Sequence, residues 1–266
     1  MIVNATGFVY DNQTSEEFNL IICKFDTDTN GIDSSSGEVE ITKANSPIQD
    51  VWHKSGNSQY TEAISFSFQL AKSSFEPFDA YEFSAINRWL CRKDGFKDFM
   101  ITRSDYDNIH FYVQFNISPI EFGGNILGIN VNGVADSPHG YSHLIKHFVQ
   151  CENETAYTIL DLSDEIGYIY PDIEIKVKND TDISITNLSD NNRRFYINNC
   201  KENETIYIDG NLLQITTDAI GHNVYDNSNY QFPRIINKYN MRKNSFMIKG
   251  NCDVTIKYRQ IRKVWI

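Results

Sequence analysis

Three histidines, His139, His143 and His147, recur every fourth residue, a spacing that would line one face of a helix and hold a transition metal. The surrounding residues oppose a helix. Pro138 and Gly140 bracket the first ring, and HLIKHFV alternates apolar and polar side chains as a strand does. The strand reading is preferred, and no metal ligands are assigned. Asp26, Asp28, Asn30 and Gly31 match the first half of a calcium loop. The twelfth position, where a bidentate carboxylate belongs, is Gly37, with Glu38 one residue late. Strand-like flanks, LIICKF and EVEITK, make an acidic hairpin loop the expectation there.

Other chemistry finds less support. The chain has no G-x-S-x-G elbow, no Walker-type glycine loop and no G-x-G-x-x-G ahead of a helix. Asp161, Asp164 and Glu165 fall in the turn LSDEIG, where solvated charge is expected. The five cysteines, Cys23, Cys91, Cys151, Cys200 and Cys252, form no CxxC pair and are expected as buried free thiols. Basic residues gather at Arg88, Arg92 and Lys93, and again at Lys257, Arg259, Arg262 and Lys263. In an acidic protein such patches are expected to complement an acidic face of a neighbouring subunit. The reading assigns no catalytic, cofactor-binding or metal residues, and expects no enzyme.

The 266 residues suit two domains, and 41% hydrophobic with 22% charged residues is enough to fill ordinary cores. The formal net charge of -11 argues against a protein whose main task is gripping phosphate backbones. No run reaches the ~18 apolar residues of a spanning helix. The start MIVNATGFVYDNQT lacks the basic and apolar regions of a signal peptide, so synthesis in a host cytoplasm, without membrane insertion, is expected. The Asn-x-Ser/Thr triplets at Asn4, Asn153 and Asn203 then reflect an Asn-rich composition and not glycosylation.

Elements that must position any site are mostly strands. Ile64, Phe66, Phe68 and Leu70 share one face of a strand; so do Phe111, Val113, Phe115 and Ile117, and again Ile173, Ile175 and Val177. Turn signals stand at Asn30-Gly31, Asn132-Gly133, Asp209-Gly210 and Gly250-Asn251, and ETIYIDGNLLQIT reads as a hairpin. One helix is expected over about 80–92: Asp79 precedes Glu82 by three residues as a capping box, and Phe83, Ile86, Trp89 and Leu90 form its apolar face. Asp136-Ser137-Pro138-His139-Gly140 is the natural boundary, giving domains 1–136 and 137–266. The fold class is mainly β, a β-rich domain with one helix followed by a β-sandwich. The apolar end Val264-Trp265-Ile266 suggests that the last strand, 252–266, returns to the first domain.

Four segments in order, INRWLCRKDGFKDFMI, GNILGINVNGVADSPHGYS, SDEIGYIYPDIEIKV and FPRIINKYNMRKNSFMIKG, give the chain a resemblance to the distal tail proteins of long-tailed bacteriophages. The resemblance runs from about residue 15 to the C-terminus and rests on order and spacing, since the family has no catalytic signature. It implies a first domain whose copies close into a hexameric ring and a galectin-like sandwich projecting outward. It also implies a hub at the tail tip that docks on the tail tube and carries tail-associated or receptor-binding proteins, with no cofactor. Net acidity suits a lumen that passes DNA without holding it. One departure is that IQDVWHKSGNSQYTEA lacks the glycine-rich loop expected there.

A carbohydrate-binding module is the alternative. Trp52, Trp89 and Trp265 all lie outside 140–260, leaving Tyr157, Tyr168, Tyr196 and Tyr207 as possible sugar platforms.

Overall fold

The apolar alternations fold as strands with one buried face. Ile64, Phe66, Phe68 and Leu70 are each at most 2% exposed, and Phe111, Val113, Phe115, Ile173, Ile175 and Val177 are buried likewise. In a computed structural model, residues 2–3, 5–25, 31–35, 39–41, 58–102 and 108–264 are described, with side chains at 5–25, 31–35, 60–102 and 108–264. The acidic loop at Asp26, Asp28, Asn30 and Glu38, the segment around Trp52, and Trp265 with Ile266 lie outside the described residues. The fold is mainly β, with one α-helix, Ala80–Leu90, among the described residues. The chain divides into two compact units, Met1–Tyr141 with the residues from Lys263 onward, and Ser142–Arg262.

The first unit is an antiparallel sheet in the order 2–3, 32–35, 65–72, 125–135, 111–122, 97–102, 7–10, 13–14, with 20–23 also pairing on 65–72. Its helix begins as the capping box requires: the Glu82 N–H donates to Asp79 Oδ1 at 2.8 Å, and the Asp79 N–H donates to Glu82 Oε2 at 2.8 Å. Ile86, Trp89 and Leu90 are buried and Phe83 packs on the same core. Trp89 is the keystone of that face. Its indole stacks on Phe18 at 4.3 Å and on Phe8 at 5.5 Å, and its Nε1–H donates to the Tyr10 carbonyl at 2.9 Å. Phe66, Phe68, Phe99, Phe111 and Phe115 continue the aromatic core through edge-to-face contacts.

The second unit is organised by a long ribbon, Ile145–Leu160 paired with Lys243–Tyr258 over the full length of both strands. On its other side, Lys243–Tyr258 pairs with Asp172–Val177 through residues 252–257 and with Thr181–Asn187 through residues 246–249. Thr205–Asp209 and Gln214–Thr217 extend the first half, and Arg193–Cys200 extends the second. The two halves enclose one core, in which Ile173, Ile206, Ile208 and Ile215 meet Ile183, Ile185, Phe195 and Ile197. Such a sheet folds over as a sandwich. At the middle of the ribbon Asn153 pairs with Gly250, and both have positive φ, 81° and 122°. A residue without a Cβ is needed there: one on Gly250 would lie 3.0 Å from the Asp182 carbonyl oxygen.

Two turn signals prove to lie inside strands. Asn132-Gly133 sits in Asn125–Ala135, and Gly250-Asn251 sits in Lys243–Tyr258. Gly133 answers to packing, since a Cβ would sit 2.4 Å from the Phe115 ring that crosses it. The hairpin turns instead at Gly123-Gly124, both with positive φ. The Asp209-Gly210 hairpin forms as read, with Asp209 paired to Gln214 and its carboxylate accepting from the Asn211 and Leu212 N–H groups. Residues 252–258 do not leave the second unit; only the chain from Lys263 groups with the first, where Val264 packs on the core.

Two substitutions and a control test these supports. Trp89→Ala should lower stability by about 3–5 kcal/mol, read as a fall in the denaturation midpoint, because it empties the slot between Phe8 and Phe18. Gly250→Ala should cost about 1–3 kcal/mol from its positive φ and the close Asp182 carbonyl, while Gly95→Ala, with open space around its Cβ position, should be milder.

Candidate functional site

The three spaced histidines do not share a helical face. Ile145–Leu160 is a strand carrying His147, and His139 stands edge-on to Tyr60 at 4.7 Å. His147 Nδ1 lies 3.0 Å from the Tyr157 hydroxyl and its ring stacks on Tyr258; burial pushes its pKa down. Among the described residues, no three His, Cys, Asp or Glu side chains gather where a metal ion could sit. Cys151, Cys200 and Cys252 are buried free thiols, and burial pushes Cys200 and Cys252 up to about 12, far from a reactive thiolate.

The carboxylates of LSDEIG are not uniformly solvated. Asp161 is 0% exposed. Its Oδ1 accepts from the Ser163 N–H and hydroxyl, while its Oδ2 is buried with no partner. The turn is drawn inward because Asn237 Nδ2 donates to the Ser163 and Glu165 carbonyls at 2.6 and 2.8 Å. Burial raises the Asp161 pKa.

Sequence reasoning also missed a second buried pair. Glu204 and His222 have side-chain exposures of 0% and 2%, with Nδ1 2.6 Å from Glu204 Oε1. His222 Nε2 lies 3.0 Å from the Asn198 carbonyl, which can only accept, so that nitrogen carries a proton. Glu204 also accepts from the Thr217 hydroxyl and the Lys201 N–H. The pair pins the segment after Thr217 against the edge strand Arg193–Cys200. Asn227 and Asn229 then bond to that edge at Asn198, Tyr196 and Arg194. The arrangement is structural and closed to solvent.

The basic clusters are largely answered within the chain. Arg92 pairs with Asp11 and Asp94, Lys257 with Glu174, and Arg262 with the Leu162 carbonyl and Asp164. Arg259 Nη1 donates to the Ser142 carbonyl at 2.8 Å. Arg88 and Lys93 of the first cluster remain exposed.

What remains for function is surface. In the first unit, Phe78 bridges to Ile126 near the tip of the hairpin 111–135. Phe75 and Tyr81, three residues on either side of Phe78, are 76% and 88% exposed, and Phe122 at the tip is 77% exposed. Each is a large apolar side chain left on the surface of the first unit. In the second unit, a groove of about 300 Å³ lies on the outer face of the sheet, lined by Tyr207, Glu174, Lys257, Gln214, Thr216 and the turn at Asp209. No helix among the described residues is long and apolar enough to cross a membrane.

Comparison with known proteins identifies two consecutive family domains. Residues 3–137 match the model described as a phage tail protein N-terminal domain, and residues 139–258 match that of a phage tail C-terminal domain. Among solved structures, the SPP1 Dit protein, described as a paradigm of the hub adsorption apparatus in phages infecting Gram-positive bacteria, shares the fold. It matches with a TM-score of 0.64 and 11% identity over 95% of this chain and 98% of that one. The phage P2 baseplate in its activated conformation with Ca matches with a TM-score of 0.50 and 12% identity over 97% of this chain and 98% of that one. No curated protein matches the sequence.

The buried Asp161 makes a pH-dependent prediction. Its raised pKa means the folded state keeps a proton that the unfolded state has already released, so stability is lost as pH rises through that range. Asp161→Asn keeps the oxygen acceptor and removes the charge. The melting temperature of the variant, relative to the parent, should therefore rise between about pH 3 and pH 7. A difference that is flat with pH would show that the carboxyl titrates normally.

Proposed function

We propose that this chain, which belongs to the phage tail protein family, is the structural hub at the distal end of the tail. In this reading, six copies close into a ring through their first units. The ring docks on the last ring of the tail tube, and the second units, Ser142–Arg262, form galectin-like sandwiches that face the receptor-binding apparatus. The protein is made in the host cytoplasm and ends in the virion, and it works by holding partners in place, without catalysis.

The observation that carries this reading is the likeness in fold to the SPP1 hub protein along nearly the whole of both chains. At 11% identity it is a likeness of fold alone, and the reading takes it together with the family match and the exposed surface. The exposed aromatics Phe75, Tyr81 and Phe122 offer apolar surface for the seam, because a closed ring hides apolar surface that a lone subunit leaves wet. A net charge of -11 suits a ring whose lumen passes DNA, since a surface poor in cations gives phosphates little to bind.

Light scattering on the purified chain tests the ring. The expected mass is six times the 30.7 kDa of one chain, either alone or with the tail-tube protein added. Replacing Tyr81 and Phe122 together by Ser should lower the assembled fraction at least tenfold and leave the melting temperature of the monomer unchanged. Protein that stays monomeric at high concentration, with and without its tail-tube partner, would refute the hub.

A further inference from the structure

We infer that the outer groove of the second unit is a binding subsite for a neutral saccharide of one or two rings. Thr216, Tyr207 and Glu174 stand in one row across adjacent strands, fixed by the pairings Tyr207 with Thr216 and Glu174 with Tyr207. Their sequence neighbours Ile173, Ile175, Ile206, Ile208 and Ile215 are buried, so the row itself faces outward. Tyr207 is 47% exposed, and among the described residues its hydroxyl has no hydrogen-bond partner.

The polar groups around this ring are held in place. Glu174 is bonded by Lys257 at 3.2 Å and lies 3.3 Å from Lys176, and these cations hold its carboxyl below the usual range. Asp172 accepts from the Gly210 N–H at 2.9 Å, and a Cβ on Gly210 would collide with the Tyr170 carbonyl, so the turn forming the rim is pressed tightly in place. An exposed tyrosine beside an ion-paired carboxylate and ammonium, with Gln214 and Thr216 also lining the groove, fits a ligand with an apolar C–H face and hydroxyls around its edge. A sugar ring has that form.

Charge selects among ligands. Asp172, Glu174 and Asp209 outnumber Lys176 and Lys257, which disfavours phosphates and acidic glycans. The volume of about 300 Å³ is at the small end of ligand pockets. The other three tyrosines weighed as platforms are engaged: Arg234 covers the Tyr168 ring at 3.7 Å, Arg194 lies over Tyr196 at 5.8 Å, and Tyr157 meets His147. The site does not depend on the hub reading, since its residues all belong to the second unit.

The full-length protein should be applied to an array of neutral and acidic glycans, and the strongest neutral glycan then titrated by calorimetry. Binding to neutral glycans is expected, weakened at least tenfold by Tyr207→Ala and by Glu174→Gln, and less by Tyr207→Phe, which keeps the platform. Tyr168→Ala should bind as the parent does. Circular dichroism and light scattering on each variant separate loss of the sugar from loss of fold or of assembly. Absence of any neutral glycan signal, a preference for acidic glycans, or binding indifferent to folded Tyr207→Ala would each overturn the inference.

Discussion

The paired bend at Asn153 and Gly250 is the constraint on which the second unit depends. A ribbon of two strands paired along their full length would, if straight, leave one face of each half exposed. Positive φ on both sides of the ladder at the same point lets the strands turn without breaking register. Phe246, Ile248, Cys252, Val254 and Ile256 all stay buried, so the inward parity survives the bend. The same ribbon thereby serves both layers, and each layer adds its own short strands.

Polar residues lock this arrangement where apolar ones would leave it loose. Asn187, Asn237 and Asn244 are all nearly fully buried. Asn244 binds the backbone of Ile236 through both its oxygen and its nitrogen, and Asn187 bonds to Asn244 and to the Arg234 carbonyl. The Asn187 and Asn244 amides find partners that only one placement of the segment 232–237 offers, so a displaced segment would strand buried polar groups. The Glu204–His222 pair does the same for the segment that covers the edge at Arg193–Cys200. Protection of that edge matters for a protein that must associate selectively, because open edges pair with any strand they meet.

In the first unit the lock is aromatic. Trp89 ties the helix to two other elements, the strand Gly7–Tyr10 through Phe8 and the Tyr10 carbonyl, and the turn Ser15–Phe18 through Phe18. Phe75, Tyr81 and Phe122 lie outside that core and stay exposed. Phe75 even holds a positive φ of 59°, uncommon for a bulky side chain. Asparagine takes that conformation elsewhere: of twelve non-glycine residues with positive φ among the described residues, eight are Asn. This accounts for Asn153 and Asn203 as turn and bend residues.

Local information sufficed wherever the physics is local. Alternation set the buried faces of 64–70, 111–117 and 173–177, since side chains on a strand must point to opposite sides whatever lies beyond. The Asp79–Glu82 box and the spacing of Phe83, Ile86, Trp89 and Leu90 set the helix, because a cap closes within one turn. The order of four segments pointed to the phage tail family. Tertiary structure decided what depends on distant partners. Gly133 and Gly250 read as turns, yet one makes room for the Phe115 ring and the other bends a paired strand; a glycine's sequence neighbours do not reveal what crosses over it. Asp161 read as solvated, but Asn237, far along the chain, folds its turn inward. The cations near the C-terminus found carboxylates and carbonyls brought to them by pairing. Tyr207 was one tyrosine among four until strand register set it beside Glu174, with its ring open to the groove. Burial and charge pairing are properties of the assembled neighbourhood, and that neighbourhood is built by contacts across the chain.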